Sequence, residues 1–207
     1  MTVDLAHPLR GRWTVRHSPA DRVPSHGTTR FASAHAIDLV PVDDRGRTGP
    51  LRPVTLVRPE PPTRFIGFGR PVLAPADGIV VAAECGAPDH HAYRGIPSLG
   101  YALTQRRRVA AGWTSLAGNH VMIATAQGVV ALCHLQQGSL AVRVGDRVRT
   151  GEPVGRCGNS GNSTEPHLHL QVVDRADVEH ASAVPFTLEG RLPADGEVVD
   201  VPDVYGA

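Results

Sequence analysis

Gly158-Asn159-Ser160-Gly161-Asn162-Ser163-Thr164-Glu165-Pro166-His167-Leu168-His169-Leu170-Gln171-Val172-Val173 passes from a turn into a strand. Gly, Asn and Ser supply positive φ and short side-chain-to-backbone bonds, so the first half reads as a loop. Pro166 holds Glu165 extended and opens the strand, where a missing N–H is tolerated. From His167 the pattern alternates. Leu168, Leu170 and Val172 share one face, and His167, His169 and Gln171 share the other. The strand therefore buries its apolar side and offers two imidazoles to a groove. Two residues along a strand span about 7 Å, so one imidazole can hold a metal while the other addresses what the metal binds.

Working upstream, Cys133-His134-Leu135 is followed by Val144-Gly145-Asp146-Arg147-Val148 and Gly151-Glu152-Pro153-Val154-Gly155. His-Leu, Gly-Asp-x-Val, Gly-x-x-x-Gly, Gly-Asn-Ser-Gly-x-Ser and Pro-His-Leu-His in this order resemble the LytM/lysostaphin-type zinc endopeptidases, which cut peptidoglycan. The match covers about 121–173, and a looser one reaches back through Val72 to Val80 as far as Asp38. The resemblance implies a mainly β fold, with antiparallel sheets forming a groove (the lysostaphin-type, duplicated hybrid motif arrangement) and loop insertions.

The resemblance also implies one Zn²⁺ per chain. Asp38 and His169 are two of its ligands, and His134 and His167 are the two non-ligand catalytic histidines beside it. The family places its first His four residues before the Asp, on the same strand face. Here His35 stands three before Asp38 and would point to the opposite face of a regular strand. His26 lies twelve before, in the loop Val23 to Thr28, where strand parity does not bind. His26 is the preferred first ligand and His35 the alternative, which a bulge would permit. Asp38 itself sits mid-strand between Ile37 and Leu39. A buried, unpaired carboxylate there costs several kcal/mol (of order 3–5 for a broken pair), so it must be paired, solvated or metal-bound.

The 207 residues suffice for one domain with a core. The expected division is an N-terminal strand and lead-in over 1–22, a peptidase-like β domain over 23–190 and a loosely held tail over 191–207. Within it, strands are expected over 12–16, 36–42, 119–124, 129–135 and 184–188. A hairpin-type turn is expected at Ala76-Asp77-Gly78 and an exposed loop over 43–62. An insertion over 85–118, helical near 98–111, walls the groove. Asp89-His90-His91 offers a weak second metal site, and Arg106-Arg107-Arg108 a solvated face or a contact for substrate carboxylates. His7 and His17 read as surface residues, and His120 as structural.

A formal net charge of +1 gives no bulk attraction for nucleic acid. No stretch is apolar enough for a membrane span, and the first residues lack the pattern of a secretory signal. The family role implies the cell envelope or the exterior; otherwise the cytoplasm is expected. Cys85, Cys133 and Cys157 have neither metal-type spacing nor a disulfide framework. All 21 basic residues are Arg, which excludes the biotin or lipoate carriers that share the Gly-Asp-x-Val pattern, because those need a lysine. Two functions remain. One is a zinc endopeptidase acting on peptidoglycan stem or cross-bridge peptides. The other is a non-catalytic module of the same fold that binds cell-wall peptide or a protein partner in its groove.

Overall fold

Alternation of apolar and polar residues builds the strands, and Gly- and Pro-rich turns separate them. The computed structural model describes residues 2–50 and 53–202. Its strands, in chain order, are β1 Val3–Leu5, β2 Gly11–Arg16, β3 Ile37–Pro41, β4 Pro71–Leu73, β5 Gly78–Glu84 and β6 Asn119–Thr125. Then follow β7 Gly128–Leu135, β8 Arg147–Val148, β9 Pro153–Arg156, β10 Leu168–Val173, β11 Phe186–Leu188 and β12 Val198–Val201. An eight-stranded sheet runs β12-β2-β3-β10-β7-β6-β5-β8, antiparallel throughout. Two small pairs, β1 with β11 and β4 with β9, lie outside it. The mainly β, antiparallel fold class expected from the sequence is what the chain adopts.

One face of the large sheet packs Val15, Ile37, Leu39, Val121, Ile123, Val130, Leu132, Leu168, Leu170 and Val172 against Val3, Leu5, Val72, Val154 and Leu188 from the small pairs. The other face is split. At one end Met122, Val129, Ala131, Cys133 and Val173 are covered by Ala32, Trp113, Ala117 and Val178. At the other end the strands present polar groups. Burial of the leucine face fixes the register of β10, since a slip of one residue would exchange its two faces.

The structure corrects several expectations. The turn at Ala76-Asp77-Gly78 is not a hairpin: β4 pairs with β9, and β5 with β6 and β8. The region 191–207 is not a loose tail over its described part. β12 pairs with β2 along Gly11 to Thr14, because Val199 and Val201 have an apolar cluster to enter; residues 203–207 lie outside the described residues. The loop over 43–62 is not wholly exposed, as Thr55 and Glu60 are buried. The insertion breaks into α1 Ile96–Leu103, α2 Gln105–Ala110 and α3 Trp113–Ala117. All three cysteines are free. Among the described residues no helix is long and apolar enough to cross a membrane.

Candidate active site

Register builds the centre of the polar end. Residue His169 of β10 lies directly across from Asp38 of β3 on one side and from Cys133 of β7 on the other. His169 Nδ1 is 2.9 Å from Asp38 Oδ1. The loop residue His26 reaches in with Nε2 3.3 Å from both Asp38 oxygens. One donor atom from each of His26, Asp38 and His169 fits within a 4.8 Å span. His35 is outside this group. It closes the 3-10 turn Arg30–His35, ahead of the strand, so strand parity never applies to it.

Each ligand candidate is oriented from behind. His26 Nδ1–H donates to Ser25 Oγ at 3.0 Å, and that hydroxyl donates to the Ala36 carbonyl. His169 Nε2–H donates to Gln171 Oε1 at 3.1 Å, and Gln171 Nε2 donates to the Phe31 carbonyl. The inner nitrogens of both rings therefore face the Asp38 carboxylate and hydrogen-bond to it here; once deprotonated, they and the carboxylate make a donor set of two imidazoles and one carboxylate of a kind that can hold a metal ion.

The other two histidines are held the same way. His134 Nδ1–H donates to the Ser160 carbonyl at 2.9 Å. His167 Nδ1–H donates to the Glu165 carbonyl at 2.8 Å. Their rings are 4.7 Å apart, and His167 Nε2 lies 3.6 Å from Asp38 Oδ1. Glu165 is pinned in turn by Arg16 and Thr48, each 2.7 Å from a carboxylate oxygen. Parity alone would send His134 to the leucine face with Leu132. A left-handed backbone, φ 63°, swings it into the site instead.

Such a backbone costs of order 1–3 kcal/mol in a non-glycine residue and collects at functional sites. Phe31 and Ala32 share it, and the first of these aims its carbonyl at Gln171. His17 shares it too. That residue, read from sequence as a surface histidine without a partner, is exposed but lies with its ring 4.8 Å from that of His26. No residue pattern marks it, because the contact depends on how the loop after β2 turns back. His7, read in the same way, is half-buried with its ring 5.4 Å from Trp13.

Electrostatics separate the groups. Burial disfavours the Asp38 anion, but nearby His167 and hydrogen bonds from His169 and His26 outweigh it and hold the carboxyl well below its ordinary range. For His169, burial opposes charge, yet the Asp38 hydrogen bond and charge raise its pKa. For His134, burial leads, with His167 and His169 adding, and the ring is kept neutral.

The insertion is fastened to the loop before His167. Asp89 accepts the Asn159 and Gln137 N–H groups at 2.7 and 2.9 Å. His90 Nε2 bonds the Gly161 carbonyl at 3.0 Å. Those residues are latches, and among the described residues only His26, Asp38 and His169 form a metal-type cluster. Gly161, φ 71°, is required: a Cβ there would strike the Leu116 carbonyl and Gly118. His120 is also structural, donating from Nδ1 to the Gly118 carbonyl beside Trp113.

Residues 101–181 match the model of peptidase family M23. Over 71 residues, a third of the chain, the sequence is 38% identical to the glycyl-glycine endopeptidase ALE-1 of Staphylococcus capitis. The matched segment is of the LytM/lysostaphin type of peptidase family M23. The chain is also 28% identical, over 72% of its length, to the peptidoglycan DD-endopeptidase ShyA of Vibrio cholerae serotype O1. Its matches cover 20% and 32% of those two relatives' own lengths. The solved catalytic domain of lysostaphin from Staphylococcus simulans aligns with 57% of the chain and 70% of that domain, at 24% identity and a TM-score of 0.37.

Proposed function

We propose that this chain is a zinc-dependent endopeptidase that hydrolyses a peptide bond in peptidoglycan stem or cross-bridge peptides. The observation that carries the reading is the convergence of His26, Asp38 and His169 within 4.8 Å, with His134 and His167 oriented beside them. His26, Asp38 and His169 would hold one Zn²⁺. When bound, that ion acts as a Lewis acid and makes water far more acidic than in bulk.

The chain's own groups complete the chemistry. With Nδ1–H committed to the Glu165 carbonyl, His167 keeps its Nε2 lone pair for a water proton and acts as general base. His134, neutral and likewise tethered, takes at Nε2 the proton that His167 removed from water, holds it against the carbonyl oxygen on which charge develops, and gives it to the amine that leaves. A positioned base contributes roughly 10²–10⁴ in rate, and a donor aimed at the oxyanion a comparable factor. Asp38 keeps its negative charge throughout, since its surroundings favour the anion.

Elemental analysis and turnover on purified peptidoglycan, measured on the same preparations, test the proposal. The expected result is about one zinc per chain and release of peptide fragments, both lost in His169→Ala. Zinc retained at full stoichiometry by His169→Ala would remove the site. A wild-type protein with zinc but no turnover on peptidoglycan or cross-bridge peptides would leave the groove-binding module as the function.

A further inference from the structure

The arginine run of the insertion divides its labour. Arg108 is committed: its guanidinium stacks 3.7 Å from the centre of the Tyr101 ring, and its Nε donates to Asn162 Oδ1 at 2.7 Å. Two residues earlier, Arg106 turns elsewhere. It lines a cavity of about 660 Å³ with Gln105, Val109 and Ala110 of α2, and with Arg30 at the start of the 3-10 turn Arg30–His35. Neither Arg30 nor Arg106 has an acidic partner among the described residues. Among the described residues no acid lines the cavity. Two arginines lining one cavity without a counter-charge raise its positive potential, and an anion between them removes that cost.

The walls of the cavity are tied to the proposed catalytic centre. Arg30 immediately precedes Phe31, whose carbonyl accepts from Gln171, the residue that orients His169. Through Arg108, α2 is bonded to Asn162, in the loop that leads to His167. A ligand seated between Arg30 and Arg106 therefore touches two segments that are each bonded to a residue close in sequence to the catalytic histidines. Val109 and Ala110 give the cavity an apolar side, which suits a carboxylate flanked by short aliphatic groups.

We propose that Arg30 and Arg106 form an anionic subsite that takes a carboxylate of the peptide substrate and selects acidic peptides over their amidated forms. The proposal rests on the peptidase reading, and its test separates the two. Full-length protein carrying His167→Ala, confirmed folded by circular dichroism, is titrated with a synthetic Ala-Glu-Ala-Ala peptide and with its fully amidated twin. The free-carboxylate peptide is expected to bind roughly tenfold tighter, as charge-assisted guanidinium contacts predict. Arg30→Gln and Arg106→Gln should each erase most of that preference, and Arg106→Lys should restore part of it. Equal affinity for the two peptides, or a preference unchanged in both Gln variants, overturns the subsite. Hydrolysis by the wild type is scored separately. Turnover without carboxylate preference removes the subsite and keeps the peptidase, whereas preference without turnover does the opposite.

Discussion

Asp38 is the residue on which the site turns. It faces His26, His167 and His169 within 3.6 Å, and the balance of burial against those contacts favours its anion. Asp38→Ala should abolish zinc binding, as should His26→Ala, while His35→Ala retains the metal; dialysis followed by elemental analysis decides each. Full zinc in His26→Ala would transfer the first ligand elsewhere. His134→Ala and His167→Ala behave differently. Each should keep zinc and lose about 10²–10⁴ in turnover, because their outer nitrogens are tied to backbone carbonyls and not to the ligands. Wild-type turnover by His167→Ala would make that residue structural.

Among the elements, the loop 158–163 and the insertion 85–118 stabilise each other. Asp89 is the main latch, accepting two backbone N–H groups from opposite segments. Its removal in Asp89→Ala leaves those donors without their charged partner, and urea denaturation should show a loss of about 1.5–3 kcal/mol. At the base of the same insertion, His120 packs its ring 4.6 Å from Trp113. Burial lowers its pKa below the ordinary 6.5, against smaller opposing effects from the Gly118 carbonyl and Glu84. The unfolded chain therefore binds this proton first as pH falls. The resulting stability is complete above pH 6.5 and is lost as the pH drops from there toward the folded value. Urea midpoints of the wild type should fall more steeply between pH 8 and pH 5 than those of His120→Phe. Equal slopes would show that His120 is neutral in neither state's favour.

At the scale of the molecule, the two ends of the described chain close the sheet. β2 lies between β12 and β3, and Trp13 is fully buried there. Trp13→Ala should cost about 3–5 kcal/mol in thermal or urea unfolding, although it is far in sequence from the M23-matched segment 101–181. A loss under 1 kcal/mol would show that β2 and β12 are an appendage. Local alternation determined most of the strands and the face of Asp38, His167 and His169, since a period of two is a property of the backbone and not of its partners. The order of short motifs around them pointed to the family. Four features needed the tertiary structure. His134 leaves its strand's parity because of a left-handed φ that no residue pattern announces. The sequence already favoured His26 over His35, but the approach of His26 to within 3.3 Å of both Asp38 oxygens is made by the fold. His17 meets His26 through the loop that turns back between them, and Arg30 and Arg106 line one cavity from segments remote in sequence. β12 becomes a strand only because β2 offers it an edge, and a strand's partner is chosen by the packing of the whole sheet.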